Sequence, residues 1–254
     1  MRNRIWHYAL CGNVIHINGR LGYKRTGIGT NYAICRAKID DKDVAAAIKA
    51  GYGDKQDSDS TSKGYTPTHE QCTFCTWACK KDCEHSRLPL SLLAACRQVH
   101  DEAALLPYTG NTFSLAIHSV EPFLKALVPA QAHAIERMIL VVDREHHTKS
   151  FKTLLRRKLK GLKDIICFFE TSCDVHDGTP FATRPELSTH LADTLLQFRQ
   201  SPMAHAIVTI KTDWELWLWR RRHSTAARAE FEYNTTRQWA RTLEEKLVAS
   251  ANNK

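Results

Sequence analysis

The residues best suited to chemistry are Cys72, Cys75, Cys79, Cys83 and His85, with His69 just before them. Thiolate and imidazole are natural ligands for tetrahedral zinc, and four cysteines within twelve residues are a large local excess. On a continuous helix the four would share one face, within about 80° of one another but spread over roughly 16 Å. A single ion bound at ~2.3 Å per sulfur cannot collect all four from a straight helix. Either the segment bends, or a subset binds, with Cys35 or His16 as additional ligands. The alternative is a cysteine-lined apolar helix face, or solvated loop thiols, holding no metal. Paired structural sites normally bring two Cys-x2-Cys knuckles together, and this segment has only the Cys72–Cys75 knuckle.

Other candidates carry less. Gly27-x-Gly29 does not lead from a strand into a helix, as a dinucleotide-binding loop must, so it reads as a turn. His146 and His147 beside Glu145 follow a strand, but no nucleophile or metalloprotease motif accompanies them, and a polar loop is expected. Arg97 and Glu102 read as buried or capping polar partners. Lys152, Arg156, Arg157, Lys158, Lys160 and Lys163 form a basic stretch with no acid among them. A second, Arg220-Arg221-Arg222-His223, follows Trp214, Trp217 and Trp219. Arginine beside exposed aromatics can hold single-stranded nucleic acid by charge and stacking. The competing reading places the tryptophans on the inner side of a helix and the arginines in water.

These residues sit in a chain of 254 residues, long enough for one large domain or two small ones. Hydrophobic residues make up 43% and charged residues 25%, a globular rather than disordered composition. No apolar run reaches the ~20 residues of a membrane helix, nor does the start read as a signal peptide. An intracellular setting is expected, in cytoplasm or nucleus, where the nine cysteines remain thiols or ligands. The formal charge of +9 makes anionic partners feasible without specifying a fold.

The elements that must position these groups can be read from periodicity. Arg2–Leu10 reads as a short helix ending near Gly12. Asn13–Ile17 and Tyr32–Arg36 read as paired strands, and Asp41–Ala50 as a short helix. Residues 51–68 are nearly devoid of apolar side chains and read as a disordered internal loop. From Leu88 onward Leu92, Cys96, Val99 and Ala103 fall at helical spacing, predicting one amphipathic helix with Leu92, Leu93, Cys96 and Val99 buried. Turn residues at Tyr108–Asn111 then lead into a strand through Phe113, Leu115 and Ile117.

Beyond this the pattern repeats helix then apolar strand. Helices are predicted over Phe123–Ala132, Phe151–Lys160 and Leu187–Phe198. Strands are predicted over Arg137–Val142, Leu162–Phe169 and Ala206–Ile210, burying Ile139, Val141, Ile166 and Val208. Continuous apolar strands alternating with helices imply a helix-covered sheet with parallel neighbours. The irregular spacing makes it only loosely leucine-rich-repeat-like. Residues 214–250 lack Pro and Gly and read as a C-terminal helical segment.

The segment Leu88-Pro89-Leu90-Ser91-Leu92-Leu93, with Cys96-Arg97-Gln98, Glu102-Ala103 and Asn111-Thr112-Phe113, resembles a fungal family of uncharacterised F-box-like proteins. Arg2-Asn3-Arg4-Ile5-Trp6, Val14–Ile17 and Ile34-Cys35-Arg36-Ala37 resemble the same family's opening helix and hairpin. The likeness is specific over residues 1–117 and weaker to about residue 211. It implies a fold more than an activity. In related proteins a Leu-Pro-acidic stretch precedes the opening helix; here Met1 stands where it would finish, so either the gene model is truncated or the F-box-like helix is incomplete, which weakens a ubiquitin-ligase adaptor reading.

Together these readings predict a single α/β (or α+β) domain with a mixed sheet. The expected function is a non-enzymatic protein-interaction scaffold with protein partners, no catalytic residues and no membrane contact. The alternative is a nucleic-acid-binding protein stabilised by zinc at Cys72, Cys75, Cys79, Cys83 and His85.

Overall fold

The computed structural model describes residues 2–19, 30–34, 88–142, 152–171, 192–201, 203–212 and 238–248. A six-stranded sheet runs through them in the order β2-β1-β3-β4-β5-β6. The strands are β1 (Val14–Gly19), β2 (Thr30–Ile34), β3 (Thr112–Ala116), β4 (Arg137–Val142), β5 (Asp164–Thr171) and β6 (His205–Thr212). Only the β1–β2 edge pair is antiparallel; β1, β3, β4, β5 and β6 are parallel neighbours. From β3 to β6 each strand is added beside its predecessor in chain order, so the sheet grows in one direction.

Strand periodicity of two sorts each strand's side chains onto two faces. One face carries two cross-strand rows: Ile15, Phe113, Met138, Ile165 and Ala206, then Ile17, Leu115, Leu140, Cys167 and Val208. All ten are buried in one large cluster. The helices between strands pack on this face. The helix Val120–Ala126 contributes Phe123 and Leu124, and Lys152–Lys158 contributes Leu155. The helical residues 192–196 and the 3-10 turn Gln197–Gln200 contribute Leu195 and Phe198. A fully buried Leu or Phe adds about 1.5–3 kcal/mol, so these rows dominate cohesion. The opposite face holds a smaller cluster of Val14, Ile139 and Ile166. This is an α/β fold of the helix-then-strand kind anticipated above.

The last described helix, residues 238–248, buries Ala240, Leu243 and Leu247 in the main cluster. Its Glu244 Oε1 accepts a 2.8 Å hydrogen bond from the Val208 backbone N–H. That contact occupies a donor on the last strand of the sheet, where an open ladder would otherwise invite another chain. Residues 214–237 of the expected helical segment, the loop at 51–68 and the helix expected at Asp41–Ala50 lie outside the described residues.

The stretch after Leu88 departs from expectation. In place of one helix there is a 3-10 turn, Leu90–Ala94, then a separate helix, Arg97–Ala103. Between them Cys96 is fully extended (φ −162°, ψ 162°). An extended residue resets the helical phase, so the stripe cannot face one side. Leu92, Leu93 and Val99 are half-buried and Cys96 is exposed, while Ala103 is buried. Arg97 and Glu102 are exposed rather than buried, and Arg97 only approaches Asp101 at 3.9 Å in solvent.

The helix expected over Phe123–Ala132 is likewise two, Val120–Ala126 and Pro129–His133. Val128 precedes Pro129 and is extended (ψ 157°), as the proline ring requires. Of the strand residues expected in the core, Ile139, Ile166 and Val208 are buried; Val141 is half-buried. Ile117 ends the alternation of β3 by entering a 3-10 turn, yet stays buried.

Candidate functional site

The N-terminal helix α1 (Arg2–Leu10) is held against the sheet by a knot of polar contacts centred on Asn111. Gly12, at φ 80°, lets the chain turn out of α1 and into β1 where a side chain would be strained. Asn111 is completely buried and satisfied on both sides of its amide. Its Nδ2 donates to the carbonyls of Leu10 (2.6 Å) and Pro107 (2.9 Å). Its Oδ1 accepts from the Asn13 backbone N–H (2.8 Å) and from Asn13 Nδ2 (3.2 Å). One side chain therefore ties the end of α1, the short helix Leu106–Thr109 and the entry to β1. Nearby, the Gly110 carbonyl accepts from Gly12 N at 2.8 Å and from the Arg137 guanidinium at 3.3 Å.

This knot leaves a cleft of about 840 Å³ at the foot of α1. Arg4, His7, Tyr8 and Cys11 come from α1 and its end; Glu136 and Arg137 come from the start of β4. Gly110 closes the floor: a Cβ there would lie 2.4 Å from that of Cys11. Glu136 is already engaged, its carboxylate 2.7 Å from Lys163 Nζ. On the next strand Asp164 pairs with His205 at 2.8 Å. Among the described residues that line the cleft, the other ionisable groups include the basic Arg4, His7 and Arg137.

Burial pushes the Cys11 thiol above its ordinary pKa, and the nearby Arg137 guanidinium opposes that only in part. The Sγ donates weakly to the Leu106 carbonyl, 3.5 Å away. A neutral, hydrogen-bonded thiol is a poor nucleophile, since the thiolate is the reactive form. Burial likewise raises Tyr108.

On its outer side α1 leaves two large side chains in water. Tyr8 is 93% exposed and Ile5 58%, three residues apart on one helical face. Leu10 is buried and Trp6 and Ala9 are half-buried, so the inward face is spent on the domain itself. The apolar residues of α1 at helical spacing, Ile5, Trp6, Ala9 and Leu10, are thus divided, with Ile5 turned outward.

The sequence-derived metal set, Cys72, Cys75, Cys79, Cys83 and His85, lies outside the described residues, as do His69, Cys35, Gly27, Gly29, His146, His147 and the Trp214–His223 stretch. His16 is buried on β1. Among the described residues no three His, Cys, Asp or Glu side chains converge as a metal site. The described cysteines are free thiols: Cys11 half-buried, Cys96 exposed and Cys167 buried. No described helix is long and apolar enough to cross a membrane. The cleft itself was not visible in the sequence, because Cys11 and Arg137 meet only through the sheet. The one signal pointing there is the Asn111-Thr112-Phe113 run.

No curated protein and no solved structure matches the chain. Residues 1–161 do match a family model, that of a domain of unknown function, DUF7730, and the chain belongs to that family.

Proposed function

We propose that this chain is a non-enzymatic protein-interaction scaffold, related to the F-box-like proteins of fungi, whose contact surface is the outer side of α1 and the cleft at its foot. The observation that carries the reading is the exposure of Tyr8 and Ile5 on a helix whose other face is anchored in the core. Tyrosine is enriched among the few residues that dominate binding energy, since it presents a large rigid surface with a polar tip. Placed beside Arg4, His7 and Arg137, it forms an aromatic anchor with a basic rim. Such a surface fits a protein segment with an apolar side chain flanked by acidic ones.

The test is quantitative affinity purification of the tagged full chain against the Tyr8→Asp/Ile5→Asp variant. Both positions are exposed, so the variant keeps its fold. Proteins whose recovery drops at least about tenfold are the partners the surface holds, tenfold being ~1.4 kcal/mol of lost binding. Equal recovery of the same proteins by both forms refutes the assignment of this surface.

A further inference from the structure

A second concavity, of about 560 Å³, lies away from the α1 cleft, between the helices Pro129–His133 and Lys152–Lys158. It is lined by Pro129, His133, Arg156, Arg157, Lys158 and Lys160. Three contacts fix its walls. The His133 Nε2–H donates to the Arg157 carbonyl at 2.8 Å, and Lys158 Nζ donates to the Leu127 carbonyl at 2.6 Å. Gly161 passes so near that a Cβ there would sit 2.1 Å from the His133 carbonyl oxygen. The groove is held by backbone on both sides.

Among the described residues no acid pairs with its exposed cations. Arg156, Arg157 and Lys160 are exposed, and none takes part in an ion pair of the described residues. Cations at a helix C-terminus are favoured by the macrodipole, but that term amounts to about half a negative charge. It accounts for one such residue more readily than for four of the five residues from Arg156 to Lys160. Arg156, Arg157, Lys158 and Lys160 all border the groove, and arginine offers a dianionic phosphate a planar, bidentate fork.

The pattern also says what carries the phosphate. Among the described residues the positive field is bounded on its C-terminal side: the next cation, Lys163, is neutralised by Glu136 at 2.7 Å, and Asp164 follows. A nucleic-acid backbone is held by a stripe of cations that neutralises several phosphates in succession. Among the described residues no Phe, Tyr or Trp lines the groove to stack on a base. The geometry points to a recognition site for a single phosphorylated side chain on a protein segment, formed by Arg156, Arg157, Lys158 and Lys160. This rests on the interaction reading above and adds the chemical class of a second contact.

The test uses the full chain and three fluorescent probes: a degenerate peptide pool with a central phosphoserine, the same pool with serine, and a 20-base-pair duplex. The phosphoserine pool is expected to bind at least about tenfold tighter than the serine pool, and inorganic phosphate to displace it. Arg156→Ala/Arg157→Ala abolishes that preference, while Arg156→Lys/Arg157→Lys retains part of it. Equal binding of the two pools, an unaffected alanine variant, or tighter binding of the duplex each overturns the proposal. Tyr8→Asp leaves the phosphoserine preference intact, so a failure here and a failure of the α1 surface are read separately.

Discussion

Replacing Asn111 is expected to cost more than its size suggests, and to cost most when the replacement is the closest in shape. Asn111→Ala removes the partner of three backbone groups: the Leu10 carbonyl, the Pro107 carbonyl and the Asn13 N–H. An orphaned buried polar group costs roughly 1–3 kcal/mol. Asn13 is half-buried and regains some water, so the sum is about 3–4 kcal/mol. For a domain of this size that corresponds to a fall in Tm of roughly 6–16 °C. Asn111→Asp preserves the acceptor but turns a carboxylate oxygen toward two carbonyl oxygens at the 2.6 and 2.9 Å positions of the lost donor. Its charged form is both desolvated and repelled, so its pKa in the folded state rises above the usual ~3.9. The unfolded chain then loses its proton at lower pH than the folded one. The penalty is consequently small near pH 4, where the neutral acid can still donate, and grows as pH rises toward neutrality. Urea unfolding of wild type and both variants between pH 4.5 and 7.5 measures this. The Asp variant should be the least stable at pH 7.5 and recover relative to wild type on acidification. An Asp variant more stable than the Ala variant at pH 7.5, or a pH-independent difference, would show that the Asn111 knot does not hold α1 to the sheet.

Ile139→Asp places a carboxylate at a position with no solvent exposure and should cost about 4 kcal/mol or more; a normal melting temperature would contradict the sheet register. Among the described cysteines, alkylation followed by peptide mapping should modify exposed Cys96 first and half-buried Cys11 later, with buried Cys167 last; Arg137→Ala should slow Cys11 further by removing the cation that favours its thiolate. Because α1 spends Leu10, Trp6 and Ala9 on its own domain, the chain mixed with the ubiquitin-ligase adaptor that F-boxes engage should elute as two peaks in size-exclusion chromatography; coelution at micromolar concentration would reverse that reading. Zinc at Cys72, Cys75, Cys79, Cys83 and His85 would copurify at about one equivalent and be released by Cys75→Ser, whereas a metal-free chain with an unchanged Tm would favour free thiols over a metal site.

What the sequence determined on its own was the set of elements whose signals are local. Arg137–Val142 is a strand by its unbroken β-branched and aliphatic run, and its bounds match the expectation. Arg2–Leu10 is a helix ended by glycine, as the residues say. The alternation of helix and strand foretold an α/β sheet, because each apolar strand needs a helical partner to bury it. Periodicity misled where one residue changed the phase. Extended Cys96 broke a stripe that Leu92, Val99 and Ala103 otherwise spell out, and Pro129 divided the helix before it. Tertiary structure alone decided the rest. Asn111 reads as a turn residue in the sequence and becomes the buried tie of α1 only when Leu10 and Asn13 arrive from a hundred positions away. Cys11 and Arg137 share a cleft because β1, β3 and β4 lie side by side, a pairing no local pattern records. The basic run from Lys152 to Lys163 was plain in the sequence. Only packing against Pro129–His133 made part of it a groove, and only the structure pairs its last lysine, Lys163, with Glu136.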